Sequence, residues 1–301
     1  MNKALLKRWL IQAFIATLLW SISKIVIKLG LEVVSPMLLA GMTQLVAFGA
    51  ILIFALSRRI KLVRKFSGGE IHALIWLGIL GFVFAPLLAI IGLTGVTGST
   101  AGLFAALSPI FVIGGGWLIL KEKLKLWQII GAVVAFIGAY VFLSGSPFSG
   151  TNFGITLILI SELCYALNVV FTRLIMRRPG DDAVTVSLAG TFLGALILVP
   201  LGLSQSPLTE LANPSAWIFI LVIGLIFAFA GMIWTEALND LKAFEAAILQ
   251  NTMLVQVGLL SWIFLHEQFG WLQIIGAIIV LGGAYLVNRG LLKSHHARNR
   301  N

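Results

Sequence analysis

The sequence predicts an all-α integral membrane protein with ten transmembrane helices, arranged as two inverted five-helix repeats, and with both termini in the cytoplasm. Three observations lead to this fold class: an apolar composition, an internal repeat and the positions of the basic residues. Hydrophobic residues make up 59% of the chain and charged residues 11%, whereas a soluble domain typically carries about 25% charged residues. The mean hydropathy of +1.04 also indicates a membrane protein.

The internal repeat is visible by eye. Residues 121–140 read KEKLKLWQIIGAVVAFIGAY, and residues 266–285, which lie 145 positions later, read HEQFGWLQIIGAIIVLGGAY. The offset is close to half of the 301 residues, so we divide the chain into a first repeat, 1–145, and a second, 146–301. Many secondary transporters consist of duplicated halves, with the substrate site at the interface between the repeats.

Apolar segments of suitable length follow one another along the chain. A helix needs about 20 residues to cross the hydrocarbon core of a bilayer. The candidates are 9–29, 36–56, 71–93, 99–119, 126–144, 153–175, 183–203, 215–238, 244–265 and 271–288. The first lacks a small-residue cleavage site, so we interpret it as a retained span and not as a signal peptide. The stretch 144–152, SGSPFSGTN, has the composition of a loop and links the halves.

The basic residues predict the topology. All of the 21 Lys and Arg except Lys24, Lys28 and Arg173 lie outside the span interiors, on the side of both termini. This positive-inside pattern places the termini in the cytoplasm. Because each half has an odd number of spans, the second half enters the membrane from the opposite side. The two repeats are then inverted and related by an axis in the membrane plane. The net charge of +10 then reflects topology and attraction to anionic membrane lipids, not nucleic-acid binding. Short loops and tails favour a prokaryotic inner membrane.

Charged side chains inside the spans indicate a candidate binding site, because they cost several kcal/mol at the bilayer centre. Trp20 and Lys24 are four residues apart and share one face of the first segment. Glu162, Tyr165 and Asn168 share one face of the sixth. Since Lys24 and Glu162 lie at similar depths, we expect them to face each other across a central cavity. The alternative is that these faces form hydrogen-bonded seams between helices.

Other polar residues are weaker candidates. Four of them either line the cavity or form interhelical hydrogen bonds: Gln44, Ser108, Gln250 and Asn251. Three charged residues near the cytoplasmic end are predicted to form an inner gate or structural ion pairs: Arg173, Glu236 and Glu245. The four histidines and the single cysteine, Cys164, have no metal-ligand spacing, so we expect no metal and no cofactor.

Several stretches resemble one known family. The ends of the two halves, LKEKLKLWQIIGAVVAFIGAY and LHEQFGWLQIIGAIIVLGGAY, align Glu122 with Glu267. FIATLLWSISKIVIKLG has a mid-helix tryptophan, and AALSPIF contains Pro109 in the fourth segment. Together these resemble EamA-type members of the drug/metabolite transporter superfamily. The second half departs from the pattern, because 249–254 has no proline. The resemblance implies a transporter of small organic metabolites, often an exporter, and not an enzyme.

The predicted cavity suits a zwitterion. Lys24 would attract a carboxylate and Glu162 an ammonium group, while Trp20 and Tyr165 would pack an apolar side chain. Amino acids, including aromatic ones, are therefore the substrates that we expect, moved by alternating access to the cavity. A monomer holds both halves and is sufficient, although a dimer is also compatible with the sequence.

Two other substrates stay open. An exporter of amphipathic cations would use Glu162 and the aromatic rings but not Lys24. A sugar-phosphate exchanger would need Lys24, Lys28 and Arg173 to converge. No nucleotide-binding motif occurs, so transport would be facilitated or driven by an ion gradient. If that ion is the proton, the acidic groups that could carry it are Glu162, Glu236 and Glu245.

Overall fold

The chain is α-helical wherever its regular structure is described. The computed structural model describes residues 3–60, 68–93, 95–96, 98–122, 126–144, 149–177, 182–239, 241–265 and 270–298. The α-helices are α1 (Lys3–Gly30), α2 (Pro36–Ser57), α3 (Gly68–Gly78), α4 (Ala85–Leu93), α5 (Gly98–Ala105), α6 (Ser108–Leu118), α7 (Leu126–Leu143), α8 (Asn152–Met176), α9 (Ala183–Gln205), α10 (Pro214–Ala237), α11 (Ala243–Gln250), α12 (Thr252–Leu265) and α13 (Trp271–Arg298). A π-helical turn, Ile79–Phe84, joins α3 to α4, and a 3₁₀ turn, Leu208–Ala212, precedes α10.

Nine stretches of the described residues are long and apolar enough to cross a membrane. They are Arg8–Gly30, Pro36–Ser57, Gly68–Gly92, Thr100–Leu118, Leu126–Leu143, Asn152–Met176, Ala183–Gln205, Pro214–Ala237 and Glu245–Phe264. The tenth predicted segment, 271–288, falls within α13, where the apolar part, Trp271–Leu286, is shorter. The structure is therefore that of an integral membrane protein, while ten crossings and the side on which each terminus lies remain predictions.

Large apolar side chains cover much of the outer surface. Ile53, Leu126 and Ile218 are 69%, 73% and 62% exposed, respectively. Apolar exposure on this scale would promote aggregation in water, but it suits a surface that contacts lipid tails.

Three of the candidate spans contain an interruption in the helix. In the third, the π-helical turn ends two residues before Pro86, which has no N–H to donate. In the fourth, α5 ends at Ala105 and α6 begins at Ser108, with Pro109 in its first turn. In the ninth, α11 and α12 are separated at Asn251. The ninth span thus breaks where the fourth does, although it lacks the proline.

The first helix of each half packs against the other half. α1 contacts α10, α11 and α12, whereas α8 contacts α3, α4, α5 and α6. α2 and α9, the second helices of the two halves, pack against each other. In this reciprocal arrangement the first helix of each half lies at the interface between the halves, to which both contribute polar side chains.

The last helices of the two halves, α7 and α13, pack closely and reciprocally. A Cβ atom on Gly138 would lie 2.5 Å from the main-chain nitrogen of Val280, and one on Gly283 would lie 2.6 Å from that of Ala135. Gly138 and Gly283 are 145 positions apart, as are Ala135 and Val280. Only glycine permits such close contact between helix backbones, and the contact has the form that a two-fold axis generates.

Candidate functional site

Lys24 lines an internal cavity. The residue is enclosed by protein, yet its side chain is accessible to solvent. The exposed apolar side chain of Ile22 lies on the outer surface of α1. Two residues correspond to about 200° around a helix of 3.6 residues per turn, so Lys24 lies on the opposite, inner face. The ammonium group therefore contacts a cavity and not the lipid.

Glu162 of α8 faces Lys24 across this cavity. The two charges interact electrostatically, but they do not form an ion pair within 4.0 Å. The Glu162 side chain is partly accessible, like that of Tyr165 on the same face of α8. The two helices thus bring a cation and an anion near each other without direct contact between the charged groups.

Two tryptophans lie at one end of the cavity. The rings of Trp20 and Trp234 have centroids 5.3 Å apart and are tilted by 56°, which is a favourable aromatic geometry. Trp20 lies one helical turn from Lys24, about 6 Å along α1. Trp20 is partly accessible, whereas Trp234 of α10 is buried. The two rings therefore form an apolar surface next to the charged groups, and we call this surface the aromatic floor.

A cluster of buried apolar residues, which we call the apolar plug, packs against the aromatic floor. Buried residues of α1, α6, α8, α10 and α11 meet there, and they include Trp9, Ala13, Val112, Val170, Leu238 and Ile248. Trp20 packs against this cluster from the cavity side. The plug separates the cavity from the end of the molecule at which α1 begins.

Arg173 closes that end with polar contacts. Its Nη1 donates hydrogen bonds to the carbonyls of Leu238 and Asn239, and its Nε lies 3.5 Å from Glu122 Oε1. Leu238 and Asn239 follow the C-terminus of α10, where the helix dipole favours a cation. Arg177, four residues further along the chain and directly after α8, donates to the Leu120 carbonyl at 3.0 Å. The two arginines thus connect α8 to the ends of α6 and α10.

Glu122 is brought inward by an unusual turn after α6. Lys121 has a φ of 54°, in the left-handed region, and the N–H of Glu122 donates to the Gly116 carbonyl at 3.2 Å. Glu122 is 7% exposed. Its Oε1 accepts from Arg173, whereas its Oε2 is buried and has no hydrogen-bond partner.

Glu245 is the second buried carboxylate at this end. It is 2% exposed, and its Oε2 accepts a hydrogen bond from the Lys242 N–H at 2.9 Å, which caps the start of α11. The Gln128 amide donates to its Oε1 at 3.4 Å. Both Glu122 and Arg173 interact with it electrostatically. We refer to Glu122, Gln128, Arg173 and Glu245 as the Arg173 cluster.

Other predicted residues lie outside these two groups. Asn168 donates to the Leu77 carbonyl at 2.9 Å, beside the π-helical turn. Gln44 is 9% exposed, and its Oε1 is buried without a hydrogen-bond partner. Glu236 is half-buried near the end of α10, and the ion pair of Arg173 is with Glu122 instead.

The remaining candidates lie at the helix breaks. Ser108 is in the first turn of α6, and Gln250 ends α11; both are half-buried. The Asn251 Nδ2 donates to the Ala106 carbonyl at 3.4 Å. The Asn251 contact is interhelical, since it joins the break between α11 and α12 to the break between α5 and α6.

Sequence reasoning missed three residues of the site: Trp234, Glu122 and Gln128. Trp234 gave no clear signal, because it lies near enough to a span end to suggest an interfacial anchor. Glu122 and Gln128 did give a signal, since both recur in the second repeat as Glu267 and Gln273. Glu267 lies outside the described residues. No group of three His, Cys, Asp or Glu suited to a metal ion occurs among the residues that the structure describes.

A helical membrane protein with a charged internal cavity and one closed end has the construction of a membrane transporter. The chain belongs to the EamA-like transporter family, which it matches over residues 7–144 and again over 152–289. A crystal structure of a protein that is 18% identical superimposes with a TM-score of 0.79, covering 92% of this chain and 95% of that one. This likeness concerns the fold alone.

Relatives from three organisms are similar to this chain over most of their length. An "Uncharacterized transporter" of Archaeoglobus fulgidus is 24% identical over 94% of this chain and 99% of its own. A "Probable amino-acid metabolite efflux pump" of Salmonella typhimurium is 25% identical, covering 91% and 92%. An "S-adenosylmethionine/S-adenosylhomocysteine transporter" of Chlamydia trachomatis is 24% identical, covering 89% and 85%.

Proposed function

We propose that this chain is a secondary transporter that exports amino acids and related zwitterionic metabolites by alternating access to the Lys24 cavity. The observation that carries the proposal is the separation of Lys24 from Glu162. Opposite charges enclosed by protein attract each other strongly, yet these two are not in direct contact. A zwitterion between them would supply a carboxylate to Lys24 and an ammonium group to Glu162.

The aromatic floor favours a substrate with an apolar side chain. A ligand held between Lys24 and Glu162 would lie about one helical turn from Trp20. The accessible face of Trp20 and the half-buried Tyr165 would then contact its side chain. Aromatic side chains gain most from such contacts, since ring pairs add about 0.5–1.5 kcal/mol beyond their buried area.

The names of two relatives support a substrate of this chemistry. One is named for amino-acid metabolites and the other for S-adenosylmethionine and S-adenosylhomocysteine. All of these compounds derive from amino acids, and the two adenosyl compounds carry the α-amino and α-carboxyl groups of methionine and homocysteine. A site that recognises the charged head group would suit both kinds of substrate, with selectivity left to the region around the rings.

The alternatives fit the geometry less well. For a sugar phosphate, Arg173 would have to reach Lys24, but Arg173 lies about 16 Å along α8 from Glu162 and is held by the end of α10. For an amphipathic cation, an enclosed lysine would be repulsive. An exporter of such cations would therefore need Lys24 to be neutral or dispensable.

The conformation in which the end near Arg173 is closed would be one state of an alternating-access cycle. The predicted topology places the Arg173 cluster at the cytoplasmic side of a prokaryotic inner membrane, so the cavity would open outward in this conformation. Separation of α8 from the ends of α6 and α10 would open the other side. One chain contains all of these groups, so a monomer suffices.

Counterflow of labelled amino acids into proteoliposomes tests the proposal. We expect the wild type to exchange zwitterionic amino acids, and Lys24→Met and Glu162→Gln each to lose most of this exchange. Ile22→Met, on the outer face of α1, is the matched control and should exchange normally. If Lys24→Met transports as well as the control, recognition of a carboxylate is wrong, and organic cations become the next substrates to test.

A further inference from the structure

The Arg173 cluster contains more buried negative than positive charge. Glu122, Arg173 and Glu245 are 7%, 8% and 2% exposed. If all three were ionised, one guanidinium group would face two carboxylates in a region otherwise filled by the apolar plug. An unpaired buried charge is costly, and two like charges in proximity are rarely both ionised.

One carboxylate oxygen has no partner to stabilise its charge. Glu122 Oε2 is buried and makes no hydrogen bond, and the Glu122 side chain as a whole is 6% exposed. A buried carboxylate oxygen without a hydrogen-bond donor loses its hydration, and no other interaction compensates for this loss. Protonation of the carboxyl group removes that charge without moving any helix.

Nearby surface charges compensate the excess only weakly. Lys242 attracts Glu245, whereas Arg177 repels Arg173. Lys242 is half-buried and Arg177 is exposed. Charges in contact with water are screened and contribute little. On the neighbouring α1, the exposed Arg8 lies over the Trp9 ring. Lys121, in the turn after α6, is also exposed.

Three further charged residues, Lys123, Lys125 and Asp240, are close in sequence to the cluster but lie outside the described residues. On α10, Glu236 is half-buried and adds no positive charge. The buried imbalance therefore rests on the two glutamates and Arg173.

We propose that Glu122 and Glu245 form a proton-binding site that holds one proton while this end of the molecule is closed. On closing, a carboxylate of the pair takes a proton from solvent and forms an O–H bond. On opening, water enters, both carboxylates ionise, and the proton returns to solvent. Since the apolar plug separates the pair from the cavity, the pair exchanges its proton with the solvent on the side of the closed end. The site makes closure pH-sensitive, and acid on that side favours the closed state.

Infrared spectroscopy of the protein in lipid nanodiscs at neutral pH tests this inference, because a protonated carboxyl group has a carbonyl stretch distinct from that of a carboxylate. The measurement is made on Glu162→Gln, so that the cavity carboxyl does not contribute. We expect one buried protonated carboxyl, which disappears when either Glu122→Gln or Glu245→Gln is added. The band disappears in either case because the remaining carboxylate can then ionise beside Arg173.

Glu236→Gln is the matched control and should keep the band. Glu245→Gln is the more robust variant for folding, since glutamine also accepts the Lys242 N–H in a capping box. Absence of the band before either substitution, or its persistence in a folded Glu245→Gln variant, overturns the proposal. The spectra need no substrate, so failure here is distinct from failure of the proposed transport function.

Discussion

The Asn251 side-chain amide donates a hydrogen bond to the main-chain carbonyl of Ala106, and the two residues are 145 positions apart, which is the offset of the internal repeat. Each lies where a helix is interrupted: Ala106 between α5 and α6, and Asn251 between α11 and α12. The hydrogen bond thus joins equivalent points of the two halves. Interrupted helices at a repeat interface are frequent in secondary transporters, where they surround the transport path.

Asn251→Leu removes this donor while keeping the number and branching of the side-chain heavy atoms. Interhelical hydrogen bonds in membrane proteins contribute about 0.6 kcal/mol on average. We therefore expect a lower Tm in detergent, by about 1 °C. Gln250→Leu, which replaces the neighbouring half-buried amide by the same apolar residue, should shift the Tm less. Equal shifts in the two variants would mean that the bond to Ala106 contributes nothing specific.

The lengths of the apolar segments predicted the spans well. The nine candidate spans of the described residues begin and end within a few residues of predicted segments, because about 20 consecutive apolar residues leave a chain few alternatives in a bilayer. The break at Asn251 was not predicted. It has no proline to mark it, and its position follows from the packing against the other half.

The candidate site was only partly predictable. Lys24 and Glu162 were selected because a charge within a span is costly, and the structure brings them close enough to interact electrostatically; a shared substrate site stays a prediction. The ring that pairs with Trp20 could not be identified in this way, because several tryptophans were equally eligible; the structure pairs it with Trp234 and not Tyr165. Glu122 lies in a sequence of alternating lysines, which is typical of a surface loop. Its burial depends on the left-handed turn at Lys121, which sequence patterns do not reveal.

Trp234→Leu tests the aromatic floor. Loss of the ring pair should remove about 0.5–1.5 kcal/mol of stabilisation from the Trp20 position, which corresponds to roughly a threefold to tenfold weaker interaction. We expect the half-saturation concentration in counterflow to rise by this factor for phenylalanine and tryptophan, and to change little for alanine.

Trp117→Leu is a suitable control, since Trp117 is 64% exposed on the outer surface. It should leave the concentration dependence unchanged for all three amino acids. A uniform loss for aromatic and small substrates in Trp234→Leu would show that the ring supports the fold and does not select the substrate.

Gly283→Ala tests the close packing of α7 and α13. The new methyl group would lie 2.6 Å from the Ala135 nitrogen, so the helices must separate. Overpacking of this kind costs about 1–3 kcal/mol, and we expect a lower Tm in detergent. Gly282→Ala is the adjacent control, because a Cβ atom at that position would have no neighbour within 4 Å among the described residues. A similar Tm for both alanine variants would contradict the proposed backbone contact.

Arg173→Gln should allow the closed end to open more often. Removal of one partner from a buried ion pair destabilises a protein by about 3–5 kcal/mol, and here the lost contacts are those that join α8 to Glu122 and to the end of α10. A cysteine at Ala243, which is 0% exposed beside the cluster, reports opening through its reaction with a polar maleimide in a Cys164→Ser background. We expect slow labelling with Arg173 present and much faster labelling in Arg173→Gln.

The double variant Arg173→Gln with Glu122→Gln separates the effect of charge from that of shape. It removes the unpaired carboxylate that the single variant leaves behind, so labelling should slow again, although not to the original rate, because the bonds from Arg173 to Leu238 and Asn239 are also lost. Arg177→Gln is the control, since that side chain is exposed and its single bond to the Leu120 carbonyl should matter little. Labelling that stays slow in a monodisperse Arg173→Gln preparation would show that the apolar plug alone keeps this end closed.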